Sequence, residues 1–168
     1  RTFLLFSIQG KNELAENMKI KKEEFSKKYQ EYKVTKAEEN KAKSEAKAIR
    51  NAELAKIREE ERIKKMLLFM EEHIADEITN SEIASAAFIS NTECMRCFKN
   101  VLHTTPGKYL RQLRLSKAKQ LLLSTPMKVE KIGELCGFRE MSYFAKVFRA
   151  EYGSAPLTYR KEHGTPSQ

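Results

Sequence analysis

The chain has 168 residues, of which 40% are hydrophobic and 33% charged, and its formal net charge is +9 at pH 7. A chain of this length can form one good core or two small ones, and its longest apolar run, from Phe3 to Phe6, is too short to span a bilayer. The three cysteines are an odd number and no segment has the pattern of a secretory signal, so we expect reduced thiols in the cytoplasm.

The positive charge is concentrated in the C-terminal half of the chain. Residues 1–77 carry 18 lysines and arginines against 16 acidic residues, whereas residues 78–168 carry 14 against 7. A basic excess on one part of a chain is typical of a surface that binds a polyanion. The alternative is a basic surface that serves only solubility, and charge alone does not decide between the two.

Residues 1–62 are predicted to form a charged helical extension or spacer. They are rich in Lys, Glu and Ala, and neither Gly nor Pro occurs between Gly10 and Pro106. An apolar stripe begins at Phe25, but its continuation falls on Lys36 and other charged residues. This break favours a solvated helix or loosely ordered spacer over a stable coiled coil.

A folded domain is predicted for residues 63–161. The apolar residues at its start fall on one helical face, namely Ile63, Met66, Leu67, Met70 and Ile74. We therefore place the domain boundary near residue 62 and interpret residues 162–168 as a flexible tail.

Two helix starts follow in this domain. The pairs Thr79/Glu82 and Ser90/Glu93 both fit the capping box, in which hydroxyl and carboxylate satisfy each other's backbone N–H groups. They predict two short helices, joined by a tight turn, at about 80–87 and 91–101. This is the helix-turn-helix pattern, although an ordinary helical hairpin in a bundle has the same features.

A longer connecting helix is predicted next. Thr105 and Pro106 mark its start, since proline is tolerated in the first helical turn, and Pro126 marks its end. At a rise of 1.5 Å per residue, nineteen residues give a rod of roughly 28 Å. Because major-groove faces recur every ~34 Å, such a rod could set two reading heads on one side of a DNA duplex.

The second half of the domain repeats the first. Phe98-Lys99 recurs fifty residues later as Phe148-Arg149, and Pro and Tyr follow each pair at the same spacings. A repeat of this kind indicates one helical unit built twice. It predicts a second helix pair near 129–136 and 141–152 and a last short helix after Pro156. Gly137, in the turn between the second pair, is expected to have a positive φ.

The second helix of each unit has the two faces that a recognition helix needs. The inward faces are Cys94, Cys97, Phe98 and Val101 in the first unit, and Phe144, Val147 and Phe148 in the second. The residues predicted to contact DNA lie on or just before the outward faces: Asn91, Thr92, Met95, Arg96, Lys99, Arg139, Glu140, Met141, Ser142, Lys146 and Arg149.

Individual roles follow from side-chain chemistry. Arg96 is the candidate for a bidentate contact with guanine, and Lys146 holds the matching place in the second unit with a less directional donor. Phosphate contact is predicted for Lys99 and Arg149, and contact with thymine methyl groups for Met95 and Met141. The alternative for each residue is a solvated surface side chain.

Residues 63–161 resemble the DNA-binding domain of the AraC/XylS family of bacterial transcription regulators. The matching residues are Gly137-Phe138, Ser142-Tyr143-Phe144, Phe148-Arg149, Gly153, Pro156 and Tyr159-Arg160, with Arg114-Leu115 and Ala118 in the connector. The resemblance implies an all-α fold of seven helices, with two helix-turn-helix subdomains joined by a linker helix, that binds adjacent major-groove segments upstream of promoters.

The resemblance also implies which residues touch bases. The family's contacts correspond here to Thr92, Met95 and Arg96, and to Glu140, Met141, Ser142 and Lys146. Gly133 stands where the family usually has Ala, which should loosen its helix slightly. Family members usually carry a sensing or dimerising domain ahead of this one, and residues 1–62 do not resemble one. Since the chain begins with Arg and not Met, we expect a fragment or processed product that has lost its sensor, or a protein that uses only a helical extension.

The sequence therefore predicts a sequence-specific DNA-binding transcription regulator, expected to be an activator. It is not expected to be an enzyme, because His73, His103 and His163 are isolated from any nucleophile or acid, and no cofactor or metal is expected. The predicted partner is double-stranded DNA, with RNA polymerase as a candidate protein partner. The effector ligand, the operator sequence and the oligomeric state are not predicted.

Two alternatives remain open at this stage. One is a protein-interaction module in which the duplicated fold and the helical arm bind a partner such as a polymerase subunit. The other is a thiol-based redox sensor that uses Cys94, Cys97 and Cys136. We favour buried thiols instead, because Cys94 and Cys97 lie on the inward face of a predicted helix and a zinc site needs four ligands.

Overall fold

The computed structural model describes residues 2–164, with side chains from residue 9 onward. This part of the chain contains seven α-helices and no strand, which confirms the all-α prediction. The helices are α1 (Thr2–Glu72), α2 (Asn80–Ala86), α3 (Asn91–Leu102), α4 (Pro106–Ser124), α5 (Val129–Leu135), α6 (Met141–Tyr152) and α7 (Pro156–His163). The bounds predicted for α2 to α6 agree with these to within one residue.

Helix α1 is much longer than the other helices. The chain divides into two compact units, residues 1–54 and residues 55–168, and α1 contributes residues to both. Its side chains from residue 9 to residue 58 are all exposed, as a solvated helix requires, and the first buried one is Ile63. Within residues 2–164, no helix combines the length and the apolar character needed to cross a membrane.

Two hydrophobic clusters form the cores of the second compact unit. The first contains Ile63, Met66, Met70, Ile83, Ala84, Ala87, Cys94, Cys97, Phe98 and Leu110. The second contains Leu115, Ala118, Leu122, Ile132, Cys136, Phe138, Phe144 and Phe148. Each helix-turn-helix unit therefore has its own core, and the connecting helix α4 contributes Leu110 to one and Leu122 to the other.

The predicted capping boxes are confirmed at both helix starts. The Thr79 hydroxyl accepts a hydrogen bond from the Glu82 N–H at 3.2 Å, and the Glu82 carboxylate accepts one from the Thr79 N–H at 2.8 Å. The same exchange joins Ser90 and Glu93 at 3.2 and 3.5 Å. Hydrogen bonds from the Thr79 backbone and side chain hold the pKa of Glu82 below its usual value. These caps fix where α2 and α3 begin.

The two tight turns share a backbone conformation but not a residue type. Gly137 has φ +79°, as the sequence predicts, and the corresponding turn of the first unit places Phe88 at φ +56°. An L side chain in the left-handed region costs roughly 1–2 kcal/mol. The Phe88 side chain is 89% exposed, so it finds open space despite this backbone.

Arg114 of α4 joins the segment after α1 to the second helix-turn-helix unit. Its Nε donates to the carbonyl of Ile74 at 2.9 Å and its Nη2 donates to the carbonyl of Asp76 at 2.6 Å. Gly137 lies against both groups: a Cβ built there would be 2.5 Å from the Ile74 oxygen and 2.8 Å from the Arg114 guanidinium. Bare backbone at Gly137 is therefore needed for this close approach.

The C-terminal end of the domain is helical to His163. Arg160 of α7 donates from its Nε to the carbonyl of Leu122 at 3.0 Å, which ties α7 to the end of α4. The first two residues of the tail predicted at 162–168 thus belong to α7. Residues 165–168 of that tail lie outside the described residues.

Gly137→Ala should reduce the free energy of unfolding by roughly 2–4 kcal/mol, because it combines left-handed strain with a clash against the Ile74 carbonyl. Gly153→Ala is the matched control, since Gly153 has φ +86° but a Cβ there meets nothing within 4 Å. The control should lose only about 1 kcal/mol. Urea unfolding of the full chain measures both, and equal losses would show that the close approach at Gly137 costs nothing.

Candidate nucleic-acid interface

Helix α3 has one buried face and one solvent-facing face. Cys94, Cys97 and Phe98 are completely buried in the first core. The outward residues are exposed, namely Asn91, Thr92, Met95, Arg96 and Lys99. The inward side chains hold α3 on the domain, and the Phe98 ring meets the Tyr109 ring of α4 edge-on at 5.9 Å. The outward face is thereby fixed in direction and left open to a partner.

Arg96 belongs to a loose charge network at the start of α3. Its Nη2 lies 3.7 Å from the Glu93 carboxylate, which also lies 3.6 Å from the guanidinium of Arg62 on α1. The Arg96 side chain is 62% exposed. Exposed pairs at this separation contribute less than about 1 kcal/mol, so the network orients Arg96 without holding it back from a ligand.

Helix α6 is held in place by aromatic packing. The Phe144 ring lies 4.7 Å from that of Phe138 and 5.7 Å from that of Phe148, which in turn meets Tyr159 of α7 at 5.5 Å. Val147 is half-buried against the same core. The outward residues of α6 are exposed, namely Ser142, Lys146 and Arg149. Both helices therefore carry an exposed cation at matching places, Arg96 and Lys146.

The residues that precede α6 are exposed, and one of them is engaged elsewhere. Arg139 forms an ion pair of 2.6 Å with Glu77, in the segment that follows α1. Glu140 is the N-cap residue of α6 and has an extended backbone. Since both side chains of the Arg139–Glu77 pair are more than 70% exposed, solvent weakens the pair.

Met141 has a different environment from the other predicted contacts. Its side chain is half-buried and packs on the second core, over the surface of Gly133 in α5. A Cβ built at Gly133 would collide with the Met141 methyl group and lie 3.3 Å from the Phe144 ring. The bare backbone of Gly133 therefore provides the space that Met141 occupies.

Sequence reasoning missed two residues that shape this surface. The sequence places Arg114 only in the connector, yet its guanidinium donates to carbonyls 38 and 40 residues away and lies against Gly137 of the second helix-turn-helix unit. The sequence gives Glu93 only a capping role, yet its carboxylate also lies between the guanidinium groups of Arg96 and Arg62. Cation–anion spacing within α3 could have indicated the Arg96 pair, since the two residues are three apart on one helix.

The three thiols lie inside the cores. Cys94, Cys97 and Cys136 are all buried to completeness. Burial raises the pKa of each thiol, and raises that of Cys136 to about 11. Because the thiolate is the form that reacts with oxidants, these environments disfavour a redox-sensing role.

Comparison with known proteins finds matches for the helix-turn-helix part of this chain. Residues 83–162 match the model of a family described as a helix-turn-helix domain. Over 91 residues the chain is 44% identical to the transcriptional activator NphR from Rhodococcus sp., an alignment that covers 54% of this chain and 27% of NphR. The chain spans less than half of the length of the curated relatives it matches.

Solved structures match over the same region. A transcriptional regulator from Chromobacterium violaceum, described by its AraC-type DNA-binding domain, is 30% identical with a TM-score of 0.60, covering 64% of this chain and 96% of that one. The DNA-binding domain of the global transcriptional factor AdpA, solved in complex with a target DNA, is 25% identical with a TM-score of 0.56. That match covers 59% of this chain and 89% of the AdpA domain.

The effect of Gly133→Ala on the free energy of unfolding should depend on the residue at position 141. With Met141 present, the better helix propensity of Ala is offset by displacement of the Met141 side chain. In a Met141→Ala background the same substitution should stabilise the domain by up to about 1 kcal/mol. A double-mutant cycle by urea unfolding measures the coupling. Equal effects of Gly133→Ala in both backgrounds would mean that the two residues do not compete for space.

Cys136 should react with iodoacetamide far more slowly in the folded chain than in urea. Its raised pKa of about 11 keeps the thiol protonated at pH 8, and the core shields it from the reagent. Thiol ionisation in the unfolded chain should lower stability as the pH rises from the ordinary thiol range toward 11. Mass spectrometry of peptides from the labelled chain measures the rates, and equal labelling in both states would contradict the burial.

Proposed function

We propose that the chain reads two adjacent major-groove segments of DNA through α3 and α6. The premise is that the chain belongs to the AraC/XylS family of transcription regulators. The observation that carries the proposal is that these two helices are held and exposed in the same way. Each is held by a buried face on its own core, each presents an exposed polar and cationic face, and one helix, α4, connects the two cores.

The length of the connector supports reading by a single chain. Helix α4 has 19 residues, which corresponds to roughly 28 Å. Major-groove faces on one side of a duplex recur every ~34 Å. Modest bending of the DNA or of the protein accommodates the difference between this spacing and the length of α4. The site for one chain would then have two unlike halves about one turn apart, without the symmetry that a dimer imposes.

The proposed contacts follow from charge and exposure. Arg96 pairs bidentately with guanine, and Lys146 acts as a less directional donor in the second half-site. Lys99 and Arg149, near the ends of the exposed faces, contact phosphate. The polar residues at the starts of the two helices complete the site, namely Asn91, Thr92, Arg139, Glu140 and Ser142. Met95 is 41% exposed and can meet a thymine methyl group, while Met141 does so only by leaving its seat on Gly133.

The role of the whole protein is part of the same proposal. NphR is named an activator, which supports activation of transcription by this chain as well. An activator acts on RNA polymerase, so we propose the polymerase as a protein partner in the cytoplasm, with promoter DNA as the primary ligand.

Selection of bound fragments from random duplex DNA tests the function directly. We expect a recovered site with two unlike halves about 10–10.5 base pairs apart. The affinity should fall steeply with salt, because each neutralised phosphate releases counterions. A chain that binds a protein partner but shows no salt-dependent affinity for duplex DNA would support the interaction-module alternative.

Arg96→Ala should lower affinity for the selected duplex by about 1–3 kcal/mol and affinity for random duplex much less, because it removes a base contact. Lys99→Ala is the comparison, since loss of a phosphate contact weakens both by the same factor and reduces the salt slope by about one. Fluorescence anisotropy with both duplexes measures the two effects. If Arg96→Ala also weakens both duplexes equally, its guanidinium touches only phosphate.

A further inference from the structure

The first two turns of α4 lie between the exposed faces of α3 and α6. An open depression beside α3 is lined by Met95, Arg96 and Lys99 and, on the α4 side, by Lys108. A second, an open cleft of about 380 Å³, lies beside the start of α6 and is lined on the α4 side by Arg111. One stretch of α4 therefore borders both reading helices.

The cleft beside α6 is rich in guanidinium groups. Arg111, Arg114 and Arg139 line it together with a single acidic residue, Glu140, among the described residues. Two of these arginines have partners: Arg114 donates to two backbone carbonyls, and Arg139 pairs with Glu77. Arg111 is exposed and has no ion pair within residues 9–164, which leaves its charge available to a ligand.

Lys108 provides a second available charge on the same side of α4. It lies three residues before Arg111, so the two side chains are neighbours on the helix surface. Lys108 is exposed, and no acidic residue is among the described ones that line the depression beside α3. Leu110, between them in sequence, is buried in the first core. The pair thus forms a basic strip that continues from one reading helix to the other.

We propose that Lys108 and Arg111 bind the phosphates of the DNA strand that passes from the first major-groove segment to the second. A duplex read by both α3 and α6 must carry a stretch of backbone across the N-terminal turns of α4. DNA has one negative charge per ~1.7 Å of its axis, so phosphates are available wherever the strip meets it. This inference rests on the proposed function and adds contacts that carry affinity without base specificity.

The test uses the full chain, a random duplex of about three turns and the duplex selected by the wild-type chain. Lys108→Ala and Arg111→Ala should each reduce the slope of log affinity against log salt by about 0.9, and the double variant by about 1.8, on both duplexes. Lys117→Ala is the matched control, because it removes one exposed positive charge from the opposite side of the same helix. Its slope should be close to that of the wild type.

Neutral methylphosphonate linkages locate the contact. Placed midway between the two half-sites of the selected duplex, they should weaken binding by the wild-type chain but should not further weaken binding by the double variant Lys108→Ala/Arg111→Ala. Placed at the outer ends, they should weaken both chains alike. Equal sensitivity to the central linkages, or equal slopes for Arg111→Ala and Lys117→Ala, would overturn the inference. A wild-type chain without salt-dependent binding would instead overturn the proposed function.

Discussion

The placement of the second helix-turn-helix unit depends on the close approach of Gly137 to the carbonyl of Ile74. A Cβ at this glycine would be only 2.5 Å from that oxygen. Arg114 fills the space beside it and donates to the Ile74 and Asp76 carbonyls, which follow α1. Because α4 already joins the two cores, this contact provides a second point of attachment. Two attachments fix the direction of α6 relative to α3, whereas one would leave a hinge.

Sequence reasoning predicted the features that local chemistry determines. The capping boxes of α2 and α3 and the proline at the start of α4 depend on residues within one turn of each other, so spacing alone located them. Arg114 and Met141 could not be understood in this way. The partners of Arg114 are close in space but 38 to 40 residues away. The sequence predicts a thymine contact for Met141, whereas the small size of Gly133, on another helix, decides where its side chain packs.

The two repeated units differ in the surroundings of their turns. Phe88 and Gly137 occupy corresponding turns and both have positive φ. The second turn faces the backbone of Ile74, so a side chain added at Gly137 would collide as well as strain. At Phe88 the ring extends into solvent and the cost is confined to the backbone. The turn sets the preference for glycine, and the packing around it decides how strict the preference is.

The two proposed reading heads share a frame but differ in what they can discriminate. A guanidinium in the first presents a fixed fork that matches one base edge, whereas the ammonium of Lys146 in the second is a flexible point charge. The first head is therefore suited to specificity, and the second adds mostly electrostatic affinity. Such a division makes a rigid connection between the two heads important. A weakly discriminating head improves selectivity only when the other head fixes its position on the DNA. The hydrogen bonds of Arg114 would maintain this coupling within the protein. The basic strip on α4 would maintain it along the DNA backbone.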